Sequence, residues 1–172
     1  GGTQGMGELP FLQAHMAKAR NDRGRLERQL AQSLPAFREQ FLRTLIRDHR
    51  LSAEEVEARA RLCGAELVLE PGAVLVLAVE RYGRDPSLDA LRSQNLLIME
   101  ALRTAFRPGQ PRLLLEIEED SFLLLVPCAP EGLTALLADA EAWTTELTRA
   151  LELDCALGVG ALYADWRGLP QA

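Results

Sequence analysis

Residues 111–127 read PRLLLEIEEDSFLLLVP, and this stretch decides the fold that the sequence predicts. Two apolar runs, residues 113–117 and 122–126, flank the polar tetrad of residues 118–121. Each run has the length of a strand and the polar gap is short, so the stretch predicts a β-hairpin with a proline at either end. Because both runs are continuously apolar, we expect helices to cover the sheet on both faces.

The turn of this hairpin is acidic and contains no glycine. Glu118, Glu119 and Asp120 are followed by Ser121 and Phe122. Three neighbouring acids could bind a cation through their carboxylate oxygens. Three acids in a surface turn are more often simply solvated, so no metal ligand and no cofactor is assigned.

The rest of the chain supplies two more strands and three helices around the hairpin. Residues 73–79 (AVLVLAV) predict a buried central strand, and residues 154–163 (DCALGVGALY) predict a last strand. Gly158 and Gly160 would lie on one face of that strand and let a helix or another backbone approach closely. Helices are predicted over residues 52–63, 88–106 and 130–151. This order predicts an α+β fold with a four-stranded, ferredoxin-like βαββαβ sheet.

Local signals support each of these helices. Ser52 and Glu55 form a capping box at the start of the first one, and Gly64 ends it. The second is amphipathic through Leu88, Leu91, Leu96, Ile98, Met99 and Leu102. The third carries its apolar face on Leu133, Leu136, Leu137, Ala140, Trp143 and Leu147.

A long helical segment precedes this domain. In residues 8–34, apolar side chains recur at spacings of three and four among arginines, a narrow stripe typical of two helices that pair across a dimer. The residues assigned to this dimer seam are Leu12, Met16, Ala19, Leu26 and Leu30. The segment is therefore expected to make the protein a homodimer.

An interruption of the helix is predicted at residues 33–35 (SLP), because proline is favoured only in the first turn of a helix. A new helix with a wide apolar face should begin there and pack on the domain through Phe37, Phe41, Leu42, Leu45 and Ile46. The predicted organisation is a tag or flexible linker over residues 1–7, a connector helix over residues 8–34 and a domain over residues 35–172.

Charge is distributed unevenly along the chain. Residues 1–50 carry nine basic and five acidic side chains, whereas residues 51–172 carry ten and twenty, within a total net charge of −6. The acidic body argues against nucleic-acid binding, which requires a basic surface. The basic segment is interpreted as the solvated face of a helix.

Two further features bear on location and chemistry. No apolar run approaches the roughly 20 residues that a membrane span needs, so no membrane contact is expected. Cys63, Cys128 and Cys155 are odd in number and widely spaced, which predicts free thiols and a cytoplasmic protein. His15 and His49 lack Cys or Asp neighbours at metal-ligand spacing and are expected to be surface residues.

Four stretches carry a family resemblance: residues 33–42 (SLPAFREQFL), 51–59 (LSAEEVEAR), 153–163 (LDCALGVGALY) and 165–172 (DWRGLPQA). Together they resemble the GGDEF domain, and more closely the degenerate GGDEF-like domain in the middle of AraC-type regulators of the YesN class. The resemblance covers about residues 26–172. It implies the cyclase fold, with a receiver domain or membrane-attached sensor upstream and a DNA-binding module downstream.

The resemblance also implies that this chain is not an enzyme. Asp120 and Phe122 match the family signature, but Glu118 and Glu119 stand where its two glycines would be, and Ser121 replaces its glutamate. Glycines there let backbone amides approach a triphosphate, whereas carboxylates repel phosphate. The arginine and aspartate of the family's product-binding motif are also absent, since residues 113–116 (LLLE) hold their place.

Three functions follow from these expectations. The first is a non-catalytic module that dimerises and transmits a signal within a transcriptional regulator. The second is a sensor that keeps a nucleotide or small-ligand pocket lined by Glu80, Tyr82 and the hairpin turn. The third, an active diguanylate cyclase, conflicts with the substituted signature.

Overall fold

The computed structural model describes residues 8–47, 50–80, 87–106, 110, 112–118 and 120–171. The predictions made for Tyr82, His49 and Glu119 lie outside these residues. Within them, helices and strands follow each other in the predicted order. Their bounds are α1 Glu8–Arg47, α2 Ala53–Cys63, β1 Gly72–Glu80, α3 Leu88–Ala105, β2 Leu113–Glu118, β3 Ser121–Pro127, α4 Leu133–Leu151 and β4 Asp154–Tyr163.

The strands form one antiparallel sheet in the order β2-β3-β1-β4, which confirms the predicted βαββαβ arrangement. β1 takes an inner position between β3 and β4, as its continuous apolar run predicts. The hairpin of β2 and β3 is also confirmed, but its turn is shorter than predicted. Glu118 pairs with Ser121, so two residues rather than four connect the strands. Glu118 can join the ladder because it stays exposed at the end of the sheet.

Helices cover the sheet on both faces, as the apolar strands predict. On one face α3 and α4 pack against β1 and β3, and Ile98 and Leu147 are fully buried in the same core as Phe122. On the other face α2, the last turns of α1 and a 3₁₀ segment at Trp166–Gln171 form a second core. The sheet is therefore the middle layer of three.

The second face of the sheet is covered over only part of its length. Val74 is buried, whereas Val76 is 37% exposed and Ala78 is exposed as well. Gly158 and Ser121 share this face, since they pair with Val76 and Ala78 respectively. The open part of the sheet is thus the end that carries the hairpin turn.

α1 runs without interruption through Pro35, so the predicted break at residues 33–35 is wrong. Proline has no N–H, so the carbonyl of Ala31 lacks its helical donor. Both residues are exposed, and water can bond to that carbonyl instead. The turns beyond Pro35 are held by Phe41 and Leu45, which are buried in the domain. Phe37 was predicted to pack there as well, but it is 37% exposed. The predicted boundary between residues 34 and 35 consequently falls inside one helix.

The buried faces of α3 and α4 differ in part from the predicted ones. Leu88 and Leu96 of α3 are exposed, and so is Leu137 of α4. Asn95 is buried on α3 instead, at 9% exposure. A polar side chain is tolerated there because the Asn95 amide donates a hydrogen bond of 2.7 Å to Glu116 Oε1.

The capping signals of α2 are confirmed. The Ser52 hydroxyl accepts a hydrogen bond from the N–H of Glu55, whose carboxylate accepts one from the N–H of Ser52. Gly64 ends the helix in the left-handed conformation, with φ of 64°. None of the helices in the described part of the chain is both long enough and apolar enough to cross a membrane.

The close approach predicted at the glycines of β4 occurs at a glycine of β1 instead. Gly158 faces the open part of the sheet, and no described helix packs on it. The register of β4 against β1 shifts beside Gly160, which marks a β-bulge. The close approach occurs at Gly72 instead, where an added Cβ would lie 2.6 Å from the Tyr163 hydroxyl oxygen and 2.7 Å from the Val126 carbonyl oxygen.

Candidate functional site

The fold brings the hairpin turn, the end of β1 and the start of β4 to one end of the sheet. The N–H of Val79 donates to the carbonyl of Asp120 over 2.9 Å, which joins the turn to β1. Glu80, the last residue of β1, pairs with Asp154, the first of β4. We call the set Glu80, Glu118, Asp120, Ser121 and Asp154 the hairpin-end site.

One residue of the substituted signature is structural. Phe122 is fully buried beneath α3 and α4 and anchors β3 in the core. Asp120 and Glu118 are exposed, and the Ser121 hydroxyl donates to Asp120 Oδ1 over 3.4 Å. The aromatic position of the signature thus holds the turn in place, and the other described positions present polar groups to solvent.

A cleft of about 380 Å³ lies beside Glu80. It is lined by Glu80, Thr148, Glu152, Leu153 and Asp154. Three of these side chains are carboxylates, and none of these described lining residues is basic. A phosphate group beside these described carboxylates would meet like charges.

The described acids of the hairpin-end site, Glu80, Glu118, Asp120 and Asp154, are all exposed. Across the described residues, no group of three His, Cys, Asp or Glu side chains is arranged to hold a metal ion. Glu118 adds a carboxylate at a position where phosphate would need a bare backbone N–H. Glu80, one of the two residues predicted to line a ligand pocket, does line a cleft, while Tyr82 lies outside the described residues.

The predicted dimer seam is an exposed surface of α1. Leu12, Met16, Leu26 and Leu30 are between 54% and 61% exposed, and Ala19 is exposed on the same helix. Their spacing fits a heptad repeat, in which Arg23 occupies the seam position between Ala19 and Leu26. The structure describes a single chain, so pairing along this seam stays a prediction.

The other predicted residues belong to neither the seam nor the hairpin-end site. His15 is exposed on α1, with its ring 4.8 Å from that of Phe11. Cys63, Cys128 and Cys155 are free thiols. Burial is the main cause that raises the pKa of each of the three, so these thiols are less ionised than an ordinary cysteine.

The sequence gives little indication of a groove between α1 and α3. Adjoining cavities of about 400, 230 and 360 Å³ run along the outer edge of β2. We call this surface the α1–α3 groove; it is lined chiefly by Arg38, Arg92, Asn95, Met99, Arg103, Arg112, Leu114 and Glu116. The one local signal was Asn95, a polar residue on the buried face of an amphipathic helix.

The family comparison agrees with this architecture. A family model described as GGDEF-like domain matches residues 47–172. The matched range begins at the last residue of α1 and contains the whole described sheet. A comparison with curated proteins returns no match.

Proposed function

Because this chain belongs to the family of GGDEF-like domains, we propose that it is a non-catalytic module that dimerises through α1 and transmits a signal to its domain. The single observation that carries the proposal is the continuity of α1. One helix of 40 residues contains both the exposed seam and the turns that are buried in the domain. A change in how two seams pair is thereby passed to the domain without an intervening loop.

The anchored end of α1 supports this role. Phe41, Leu42 and Leu45 are each no more than 2% exposed and belong to the core beneath β1 and β2. Arg38 adds a polar link, since its Nε donates to the carbonyl of Cys63 over 2.7 Å. Movement of α1 would therefore have to move α2 and the sheet with it.

The seam end of α1 supports dimerisation. Leu9, Leu12, Met16, Leu26, Leu30 and Phe37 all lie on one heptad pattern and are all exposed. Four heptads are long enough for a two-stranded coiled coil. Arg23 occupies a seam position and forms an ion pair of 2.7 Å with Glu27. A charged residue at such a position favours one register of pairing over others.

The hairpin-end site supports the absence of catalysis. A cyclase of this fold would have to hold a triphosphate and its magnesium ion against the turn. Glu118 stands at a glycine position, and the cleft beside Glu80 is lined by carboxylates. These charges also argue against the alternative function of a nucleotide sensor at this end of the sheet.

The wider context of the proposal is an AraC-type transcriptional regulator of the YesN class. Residues 33–42 and 51–59 carry that resemblance, and they lie on the last turns of α1 and on α2. In such a protein a receiver domain or membrane-attached sensor would act on α1, and a DNA-binding module would follow the domain. The signal would shift the dimer between two ways of pairing α1. The shift would be set by the difference in free energy between these two pairings, which would be a few kcal/mol.

Two measurements test the proposal. Sedimentation equilibrium should show a dimer for residues 1–172 and a folded monomer for residues 33–172, with circular dichroism to confirm folding. A dimer that persists in the shortened chain would place the contact outside the seam. Incubation of the whole chain with GTP and Mg²⁺ should give no cyclic dinucleotide, and formation of that product would refute the non-catalytic role.

A further inference from the structure

The outer edge of β2 offers unpaired backbone groups to the α1–α3 groove. β1 and β3 form hydrogen-bonded pairs at Val79 with Asp120 and at Pro71 with Cys128, so even-numbered residues of β3 bond to β1. The odd-numbered residues of β3 therefore bond to β2, where their partners are Leu113 and Leu115. The direction of the backbone N–H and C=O groups alternates from residue to residue along a strand. The groups of Leu114 and Glu116 therefore point away from β3, toward the outer side of β2.

One of these outward groups is already taken. Arg43 of α1 donates from its Nη2 to the carbonyl oxygen of Glu116, which independently places that carbonyl on the outer side. Among the described residues, no side chain bonds to the backbone of Leu114. Its N–H and C=O, together with the N–H of Glu116, are the free positions to which another strand could pair.

The walls of the groove are basic although the protein is acidic. Arg38 lies on α1, Arg92 and Arg103 lie on α3, and Arg112 precedes β2. The lining also holds two acids: Glu39, which is paired with Arg43 at 2.9 Å, and Glu116, which accepts from Asn95. Arg38 donates to the carbonyl of Cys63, and Arg103 is paired with Glu100 at 3.5 Å. Four arginines and two acids still give the lining a net positive charge, against a net charge of −6 for the whole chain.

We propose that the α1–α3 groove binds an extended acidic peptide of a partner protein, which adds a fifth strand to the edge of β2. Backbone hydrogen bonds to Leu114 and Glu116 would supply the pairing. Alternate side chains of the added strand would point toward α1 and toward α3, where Arg38 and Arg103 would meet its acids. The inference is independent of dimerisation through α1.

Charge complementarity favours this occupant over the others. A second copy of the same edge would bring four arginines against four, and like charges across paired strands are unfavourable. Nucleic acid would have to approach a body whose residues 51–172 carry twenty acids and ten bases. An acidic strand of about six residues, the length of β2, satisfies both the backbone and the arginines.

The test uses the whole chain and a phage-displayed library of random ten-residue peptides. Enriched peptides should contain alternating acidic and β-branched residues and no central proline. For the peptide most strongly enriched, the Arg92→Glu/Arg103→Glu variant should bind at least about tenfold more weakly, whereas the matched variant Arg59→Glu/Arg61→Glu on α2 should bind as the parent does. Circular dichroism confirms that both variants fold.

A second readout addresses the backbone. The bound peptide should slow hydrogen exchange of the Leu114 and Glu116 amides at least about tenfold. Leu114→Pro removes the outward N–H without touching a ladder bond and should abolish binding of the same peptide. Failure to enrich any acidic peptide, equal binding by the α3 variant, or binding without protection of Leu114 would each overturn the proposal.

Discussion

Truncation of two seam leucines should weaken the dimer strongly without affecting the domain. Leu26 and Leu30 are 61% and 54% exposed, so more than half of each side chain is left for a partner helix to bury. Complete burial of a leucine is worth about 1.5–3 kcal/mol, and its replacement by alanine at a half-exposed site should cost about 1 kcal/mol. A dimer contains four such side chains, which gives about 4 kcal/mol, or roughly a thousandfold increase in Kd.

Sedimentation equilibrium of Leu26→Ala/Leu30→Ala against the parent chain measures this change. Thermal unfolding of the domain, followed at a concentration where both proteins are monomeric, should stay the same, because neither leucine belongs to a described core. Leu62→Ala is the matched control, since Leu62 is 56% exposed but lies on α2. A Kd that stays within twofold of the parent value, or an equal change in Leu62→Ala, would refute the reasoning.

Three further outcomes are expected. Arg23→Leu should tighten the dimer by about tenfold in sedimentation equilibrium, because it removes like charges from the seam; unchanged or weaker pairing would contradict the proposed register. Gly72→Ala should lower the free energy of unfolding in urea by about 1–3 kcal/mol, since its Cβ would clash with Tyr163 and the Val126 carbonyl; an unchanged midpoint would show that the strands can separate there. Burial, and secondarily Glu70, raises the pKa of Tyr163 from 10.0 to about 12, so the folded state holds this proton more tightly than the unfolded state. The free energy of unfolding should keep this contribution below pH 10 and lose it as pH rises toward 12, with a loss of about 1 kcal/mol at pH 11. If a Tyr163→Phe chain loses as much stability between pH 9 and pH 11, the effect belongs to another group.

The sequence predicts the parts of this fold that depend on neighbouring residues. The hairpin follows from two apolar runs around a short polar gap, and α2 follows from Ser52, Glu55 and Gly64. The break predicted at Pro35 was wrong because the preference of proline for the first turn of a helix was outweighed by tertiary packing. Loss of one exposed hydrogen bond is offset by the burial of Phe41 and Leu45 one to three turns later, which keeps the helix in line.

The candidate surfaces were predictable to different degrees. The acids of the turn and the apolar stripe of α1 are visible in the sequence, since each is a local pattern. The approach of Asp154 to Glu80 depends on the register of β4 against β1, which a bulge beside Gly160 shifts. Apart from Asn95, the α1–α3 groove depends on tertiary packing, since Arg38, Arg92 and Leu114 are far apart in the sequence.

The passage of α1 through Pro35 also fixes an angular phase between the seam and the domain. Each residue of an α-helix adds about 100° of rotation and 1.5 Å of rise. One residue inserted between Leu30 and Phe41 would turn the seam by more than a quarter of a circle relative to the domain, whereas seven would nearly restore its direction. Evolution or design could therefore reset the output of such a protein by changing the length of one helix, with every contact inside the domain left in place.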